Sequence, residues 1–121
     1  MDSAKRVLII DDSKLTRMII SKVIAVNFED WLVNEAPDAS SALLLANKHQ
    51  YDFITLDYNM PGQSGYDIYP QLKESQQDAQ IAVFTANIQQ PVKNKFEQLG
   101  ALFYTKPIKP EVLLEFFAVE A

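Results

Sequence analysis

Five short runs of apolar, mostly branched or aromatic residues punctuate the chain. They are Val7-Leu8-Ile9-Ile10, Trp31-Leu32-Val33, Phe53-Ile54-Thr55-Leu56, Ile81-Ala82-Val83-Phe84 and Leu102-Phe103-Tyr104. Their starts lie about 20 to 28 residues apart, the length of a strand plus a crossover helix. Four of the runs show little polar alternation, the pattern of strands covered by helices on both faces. The second continues into Asn34 and Glu35 and reads as an edge strand. Helical patterns fill the gaps. Ser13 is a candidate N-cap for a helix with the stripe Leu15, Met18, Ile19 and Val23, and Asp38 for one carrying Ala42, Leu43 and Ala46. Val92, Phe96 and Leu99 repeat at helical spacing and stop at Gly100, a natural C-terminal cap. Lys109-Pro110-Glu111 puts proline in the first turn of the last helix. The stretch from Tyr66 to Ser75 contains Pro70, so that helix is expected to start late or to kink. Alternating strand and helix predict an α/β fold of (βα)₅ type, one domain over residues 1–121, with a parallel sheet and right-handed crossovers.

Composition narrows the function. The chain has 121 residues, 16 acidic and 11 basic, for a net charge of −5, with one histidine and no cysteine. The missing cysteine excludes a disulfide scaffold, a thiolate zinc site, a redox dithiol and a cysteine nucleophile. An acidic chain without a basic block does not carry the footprint of a nucleic-acid binder. No apolar run approaches the ~20 residues of a membrane span. The polar Met1 to Arg6 segment shows no signal peptide, so a soluble cytoplasmic protein is expected.

Ligands of open α/β sheets bind beyond the carboxyl ends of the strands. At those ends stand Asp11-Asp12 after the first strand, Asp57 after the third, Thr85-Ala86 after the fourth and Thr105-Lys106-Pro107 after the fifth. Three clustered carboxylates raise one another's pKa unless a cation sits among them. With no cysteine and a lone histidine, a hard divalent ion suits the set: Mg²⁺, or Mn²⁺ in its place. Mg²⁺ shares its shell with phosphate oxygens, which points to phosphoryl chemistry. Asp57, in the middle of the row, is the candidate nucleophile for an aspartyl phosphate. Lys106 supplies a point charge, and Thr85 with the Ala86 N–H supplies donors for phosphoryl oxygens. Asp11, Asp12, Asp57 and Lys106 sum to −2, which one Mg²⁺ neutralises.

Asp11-Asp12-Ser13, Asp57-Tyr58-Asn59-Met60-Pro61-Gly62-Gln63-Ser64-Gly65, Thr85-Ala86 and Lys106-Pro107, in this order, resemble the motifs of response-regulator receiver domains of the stand-alone chemotaxis type. The resemblance covers essentially the whole chain, with no output domain. It implies a flavodoxin-like three-layer sandwich with strand order 2-1-3-4-5, an order the general rules for doubly wound sheets also give for this family. It further implies that Asp57 accepts a phosphoryl group from a histidine kinase or histidine phosphotransfer protein, and that the domain then signals to a downstream protein target. By the same resemblance, Asp11, Asp12, Asp57 and the backbone carbonyl of Asn59 hold the metal. Lys106 pairs with the phosphoryl group, with a cis bond to Pro107. Thr85 swings toward the phosphoryl group and lets Phe103 move inward, while Tyr104 faces the other side of the strand. Asn59 and Asn87 border the path of the hydrolytic water and tune the lifetime of the phosphoryl group.

Plainer readings stand beside these. Asp11-Asp12 also suit a helix cap, Asp57 a turn, Thr85 an ordinary strand and Lys106 a solvated side chain. His49 lies in a polar segment and receives no role. Val112, Leu113, Leu114, Phe116 and Phe117 cover more than one face of the last helix, so they form either a well-buried helix or a face for a partner or a second copy. The leading function is a signalling module that catalyses only its own phosphorylation and dephosphorylation. Three alternatives stay open: an aspartyl-phosphate phosphatase, a phosphate-independent scaffold, and a flavin binder. Such phosphatases place nucleophile and acid two residues apart, unlike Asp11-Asp12. A flavin binder needs a phosphate loop where these carboxylates stand.

Overall fold

A computed structural model describes residues 4–86 and 88–119. Five strands, β1 (Arg6–Ile10), β2 (Leu32–Ala36), β3 (Phe53–Asp57), β4 (Gln80–Thr85) and β5 (Leu102–Thr105), alternate with five helices. The helices are α1 (Lys14–Asn27), α2 (Ala39–Lys48), α3 (Gly65–Ser75), α4 (Gln90–Gln98) and α5 (Pro110–Phe117). All pairings are parallel, and the order is β2-β1-β3-β4-β5, so β2 is indeed an edge.

Strand alternation builds two cores. Leu8, Ile10, Ile54, Leu56, Ile81 and Val83 face Ala42, Ala46, Ile68, Leu72 and Phe96 of α2, α3 and α4. Val7, Ile9, Phe53, Ala82 and Phe84 face Ile20, Ile24, Leu113, Phe116 and Phe117 of α1 and α5. The result is the three-layer flavodoxin-like sandwich. Gln76, fully buried, ties the first layer at its lower end. Its side chain accepts from the Tyr51 N–H at 2.8 Å and donates to the carbonyls of Ala46 and His49 at 2.8 and 2.6 Å.

Several helix details follow the sequence. Ser13 Oγ accepts from the Thr16 N–H, and Asp38 Oδ1 from the Ser41 N–H, as caps of α1 and α2. Gly100, at φ +86°, ends α4 with hydrogen bonds from its own N–H to the Glu97 carbonyl and from Ala101 N–H to the Phe96 carbonyl.

Two expectations need correction, and two open alternatives narrow. The stripe of α1 is turned: Leu15, Met18 and Ile19 are exposed, Val23 packs against the core as expected, and Ile20 and Ile24 are buried beside it. In this rotation the Arg17 side chain reaches the strand ends, donating to the Asp11 carbonyl and to Glu35. Leu99 is likewise exposed beyond the last turn of α4, leaving Phe96 as the buried anchor. Helix α3 does not start late. It begins on a capping box between Ser64 and Asp67 and runs through Pro70, which is exposed, so water can reach the turn whose donor proline removes. In α5, Leu113, Phe116 and Phe117 are buried against the sheet, which leaves Val112 and Leu114, both half-buried, of the expected partner face.

Candidate functional site

The backbone ladders continue one residue past the strands and set the site residues in register. The Asp11 N–H donates to the Ala36 carbonyl at 3.1 Å, Tyr58 N–H to Phe84 at 2.9 Å and Lys106 N–H to Thr85 at 2.8 Å. Asp11, Asp12 and Asp57 thereby present carboxylate oxygens that lie within 4.8 Å of one another. Asp11 and Asp57 are buried and Asp12 is exposed, so the cluster opens to solvent on one side. Ser13, rather than either aspartate, caps α1, which leaves both carboxylates to the site.

Lys106 reaches into the cluster, its Nζ 3.1 Å from Asp11 Oδ2 and 3.1 Å from Asp57 Oδ1. The Lys106–Pro107 peptide is cis. The second oxygen of Asp11 accepts from the Ser13 N–H at 2.9 Å, and Asp57 Oδ1 also accepts from the Asn59 N–H at 3.3 Å. Asp57 Oδ2 is different: it is buried and has no hydrogen-bond partner among the described residues. Burial, and then the Asp11 carboxylate, push the Asp57 carboxyl up to about 6 against the partial relief that Lys106 gives. Burial works against the Lys106 ammonium, but Asp11 and Asp57 more than offset it and hold its pKa above the ordinary lysine value.

An orphaned buried carboxylate oxygen, two further carboxylates and no soft ligand are the donor set of a hard, oxygen-seeking dication. Mg²⁺ fits these residues: Asp11, Asp12 and Asp57 supply the oxygens, and the exposed side leaves room for the waters Mg²⁺ retains.

Thr85, buried at the end of β4, stands across a small cavity from Phe103. That cavity, of about 230 Å³, is lined by Tyr58, Asn59, Thr85, Gln89, Val92 and Phe103. The Phe103 ring is half-buried and lies 5.5 Å from Phe96, whereas Tyr104 stacks on Phe84 in the other core, so the two aromatics face opposite sides of β5 as expected. Ala86 follows Thr85 and is exposed, and Asn59 is exposed beside Asp57. Asn87 lies outside the described residues. A larger groove, of about 650 Å³, lies at the opposite end of the sheet beside Phe28, Trp31, Phe53 and Phe117, away from the carboxylates.

Two further residues shape the site without having been assigned a role from the sequence. A Cβ on Gly65 would stand 2.7 Å from the Asp57 carbonyl oxygen and 3.1 Å from Tyr58 Cα, so only glycine lets α3 start this close to the end of β3. Arg17, in the first turn of α1, donates from Nη1 to the Asp11 carbonyl at 2.7 Å. Gly65 stands within the motif from Asp57 to Gly65, but nothing in the sequence singles out Arg17.

Comparison with known proteins identifies the family of the chain. The model of the response regulator receiver domain family matches residues 7–118. The chain is 32% identical over 114 residues to the chemotaxis protein CheY of Bacillus subtilis (strain 168), covering 93% of each. It is 36% identical over 111 residues to the nitrate/nitrite response regulator protein NarP of Escherichia coli (strain K12), covering 91% of this chain but 52% of NarP, about half its length. A solved response regulator protein from Burkholderia pseudomallei, with a phosphorylated aspartic acid, calcium ion and citrate, superposes with a TM-score of 0.81. It is 27% identical, over 91% of this chain and 64% of that one.

Proposed function

The chain belongs to the response regulator receiver domain family, and on that premise we propose that it is a phosphorylation-switched signalling module with Asp57 as its acceptor. Receiver domains are signalling proteins of two-component systems, which work with histidine kinases or phosphotransfer proteins and with downstream targets. The observation that carries the reading is the Asp57 carboxylate, buried, ion-paired through one oxygen and orphaned at the other, within a three-carboxylate cluster.

In this reading a carboxylate oxygen of Asp57 attacks the phosphorus of a phosphohistidine. An O–P bond forms, the N–P bond breaks, and the departing imidazole keeps the electron pair and takes a proton from water. When bound, Mg²⁺ supplies positive charge for the transferred oxygens. Asp11 and Asp12 hold it with Asp57, and the Asn59 carbonyl adds a ligand. Lys106 follows the developing phosphoryl charge from its position between Asp11 and Asp57, and the Thr85 hydroxyl and the Ala86 N–H donate to the same oxygens. Thr85 moves toward the phosphoryl group, and the Phe103 ring turns into the adjoining cavity. Asn59 and Asn87 set how long the acyl phosphate lasts, since amides orient water but provide no general base.

The partner is a protein. Leu15, Met18 and Ile19 expose apolar surface on the first turns of α1, immediately after Asp12. A kinase or phosphotransfer partner can cover that surface while presenting its histidine. The domain acts in the cytoplasm through a downstream protein target. Val112 and Leu114 of α5 are the residues of the last helix left to contribute to a homodimer contact.

Beryllofluoride, a phosphoryl mimic, tests this reading when added with Mg²⁺ while amide spectra are followed. Shifts at Thr85, Phe103 and α4 in wild type, absent in Asp57→Asn, are expected. Wild-type spectra unchanged by the mimic would refute it.

A further inference from the structure

Arg17 bridges three elements. Its Nη1 donates to the Asp11 carbonyl at 2.7 Å, and its Nε donates to Glu35 Oε1 at 3.0 Å. Glu35 stands on β2, one residue before the Ala36 carbonyl that receives the Asp11 N–H, and its other oxygen lies 3.4 Å from Ser21 Oγ. The Arg17 side chain is 13% exposed, so its fork is held by these partners and largely screened from water.

The Asp11 carbonyl belongs to the peptide plane that joins Asp11 to Asp12. A bond to that oxygen therefore fixes the direction in which the chain leaves Asp11, and with it the Cα of Asp12. The other anchors on Asp11 act elsewhere. Ala36 holds its N–H, and Ser13 and Lys106 hold its carboxylate. Asp12 is exposed, and its carboxylate lies within 4.8 Å of the other two, so its placement depends on how the backbone leaves Asp11. The guanidinium also adds fixed positive charge beside an acidic cluster, and its rigid planar fork presents Nη1 and Nε to two acceptors in one set geometry, which an ammonium at a single point does not reproduce.

We propose that Arg17, oriented by Glu35, is a positioning residue that holds the Asp11–Asp12 peptide in the geometry needed for divalent-cation binding. The proposal rests on the metal-dependent reading of the site given above. Groups that orient metal ligands typically contribute tenfold to a hundredfold in affinity. An ion pair with one exposed partner contributes little to stability, so removing it is expected to leave the fold intact.

The test measures Mg²⁺ binding to the full chain by calorimetry for wild type, Arg17→Ala, Arg17→Lys and Glu35→Gln, with thermal melting beside it. Arg17→Ala is expected to raise the Mg²⁺ Kd about tenfold. Arg17→Lys, which keeps the charge but not the two-acceptor fork, is expected to stay close to Arg17→Ala. Glu35→Gln is expected to raise the Kd by a smaller factor. Labelling by acetyl phosphate adds a readout that general damage cannot mimic: Arg17→Ala should need more Mg²⁺ for half-maximal rate, yet recover most of the wild-type rate at saturation. A wild-type Kd in a folded Arg17→Ala protein overturns the proposal, as does an Arg17→Lys protein that binds like wild type. Should Arg17→Ala fail to fold, Arg17→Lys and Glu35→Gln decide by the same criterion. No Mg²⁺ binding by wild type would instead sink the underlying reading of the site.

Discussion

Lys106 Nζ stands 3.1 Å from both Asp11 Oδ2 and Asp57 Oδ1, one ammonium shared by carboxylates from the ends of β1 and β3. A dication held by the same carboxylates competes with this ammonium for their charge. Lys106→Met is therefore expected to bind Mg²⁺ several-fold more tightly while losing about a hundredfold in phosphorylation rate, because a fixed charge on the transferred group is gone. Calorimetry and intact-mass time courses read the two effects separately. Weaker Mg²⁺ binding in the variant would contradict the assignment.

The Asp57 carboxyl, pushed up to about 6, gives a pH dependence of defined sign. A carboxyl whose pKa is higher folded than unfolded contributes stability that is full below about pH 4 and is lost as pH rises through about 6. In metal-free solution Asp57→Asn is expected to exceed wild type by about 3 kcal/mol at neutral pH, with the advantage closing toward pH 4. Urea melts at three pH values check this. An advantage independent of pH would contradict it.

Most of the strand-end site was legible because its chemistry sits in residues that interrupt apolar runs. Asp11, Asp57 and Thr85 each close or follow a strand whose start and length the hydrophobic pattern marks. The topology then places them at one edge. What the pattern missed was rotation and close approach. Leu15, Met18 and Ile19 stay exposed while Ile20, Val23 and Ile24 face the core, a rotation in which Arg17 meets Asp11 and Glu35. In α5, apolar residues on more than one face left a well-buried helix and a partner surface both open. Leu113, Phe116 and Phe117 follow the first, in a core where Phe53 packs edge-on against the rings of Phe116 and Phe117.

Thr55 lies on β3 two residues before Asp57, and its hydroxyl is buried without a hydrogen-bond partner among the described residues. Thr55→Val replaces that hydroxyl by a methyl of similar shape and is expected to stabilise the protein by about 1 kcal/mol. Denaturant unfolding at constant m measures it. A destabilised variant would show that the hydroxyl is satisfied after all.

Gly65 presses the start of α3 against the backbone of Asp57 and Tyr58. Gly65→Ala inserts a methyl where the nearest atom is an Asp57 backbone oxygen at 2.7 Å, so the β3–α3 loop must move. A loss of roughly 1 to 3 kcal/mol is expected, together with slower phosphorylation, since the shift acts on the acceptor itself. Gly62→Ala, at an open position with φ +87°, is the comparison: it strains the turn without touching Asp57 and should alter stability more than labelling.

The central claim is that Asp57 takes a phosphoryl group in a reaction that needs a divalent cation. The direct measurement is intact mass after incubation with acetyl phosphate and Mg²⁺, followed by borohydride reduction and peptide mapping. One phosphoryl group per chain is predicted, with the reduced residue at position 57 and no labelling of Asp57→Asn or of EDTA-treated protein. A wild-type chain that stays unmodified, or that carries the group elsewhere, contradicts the account.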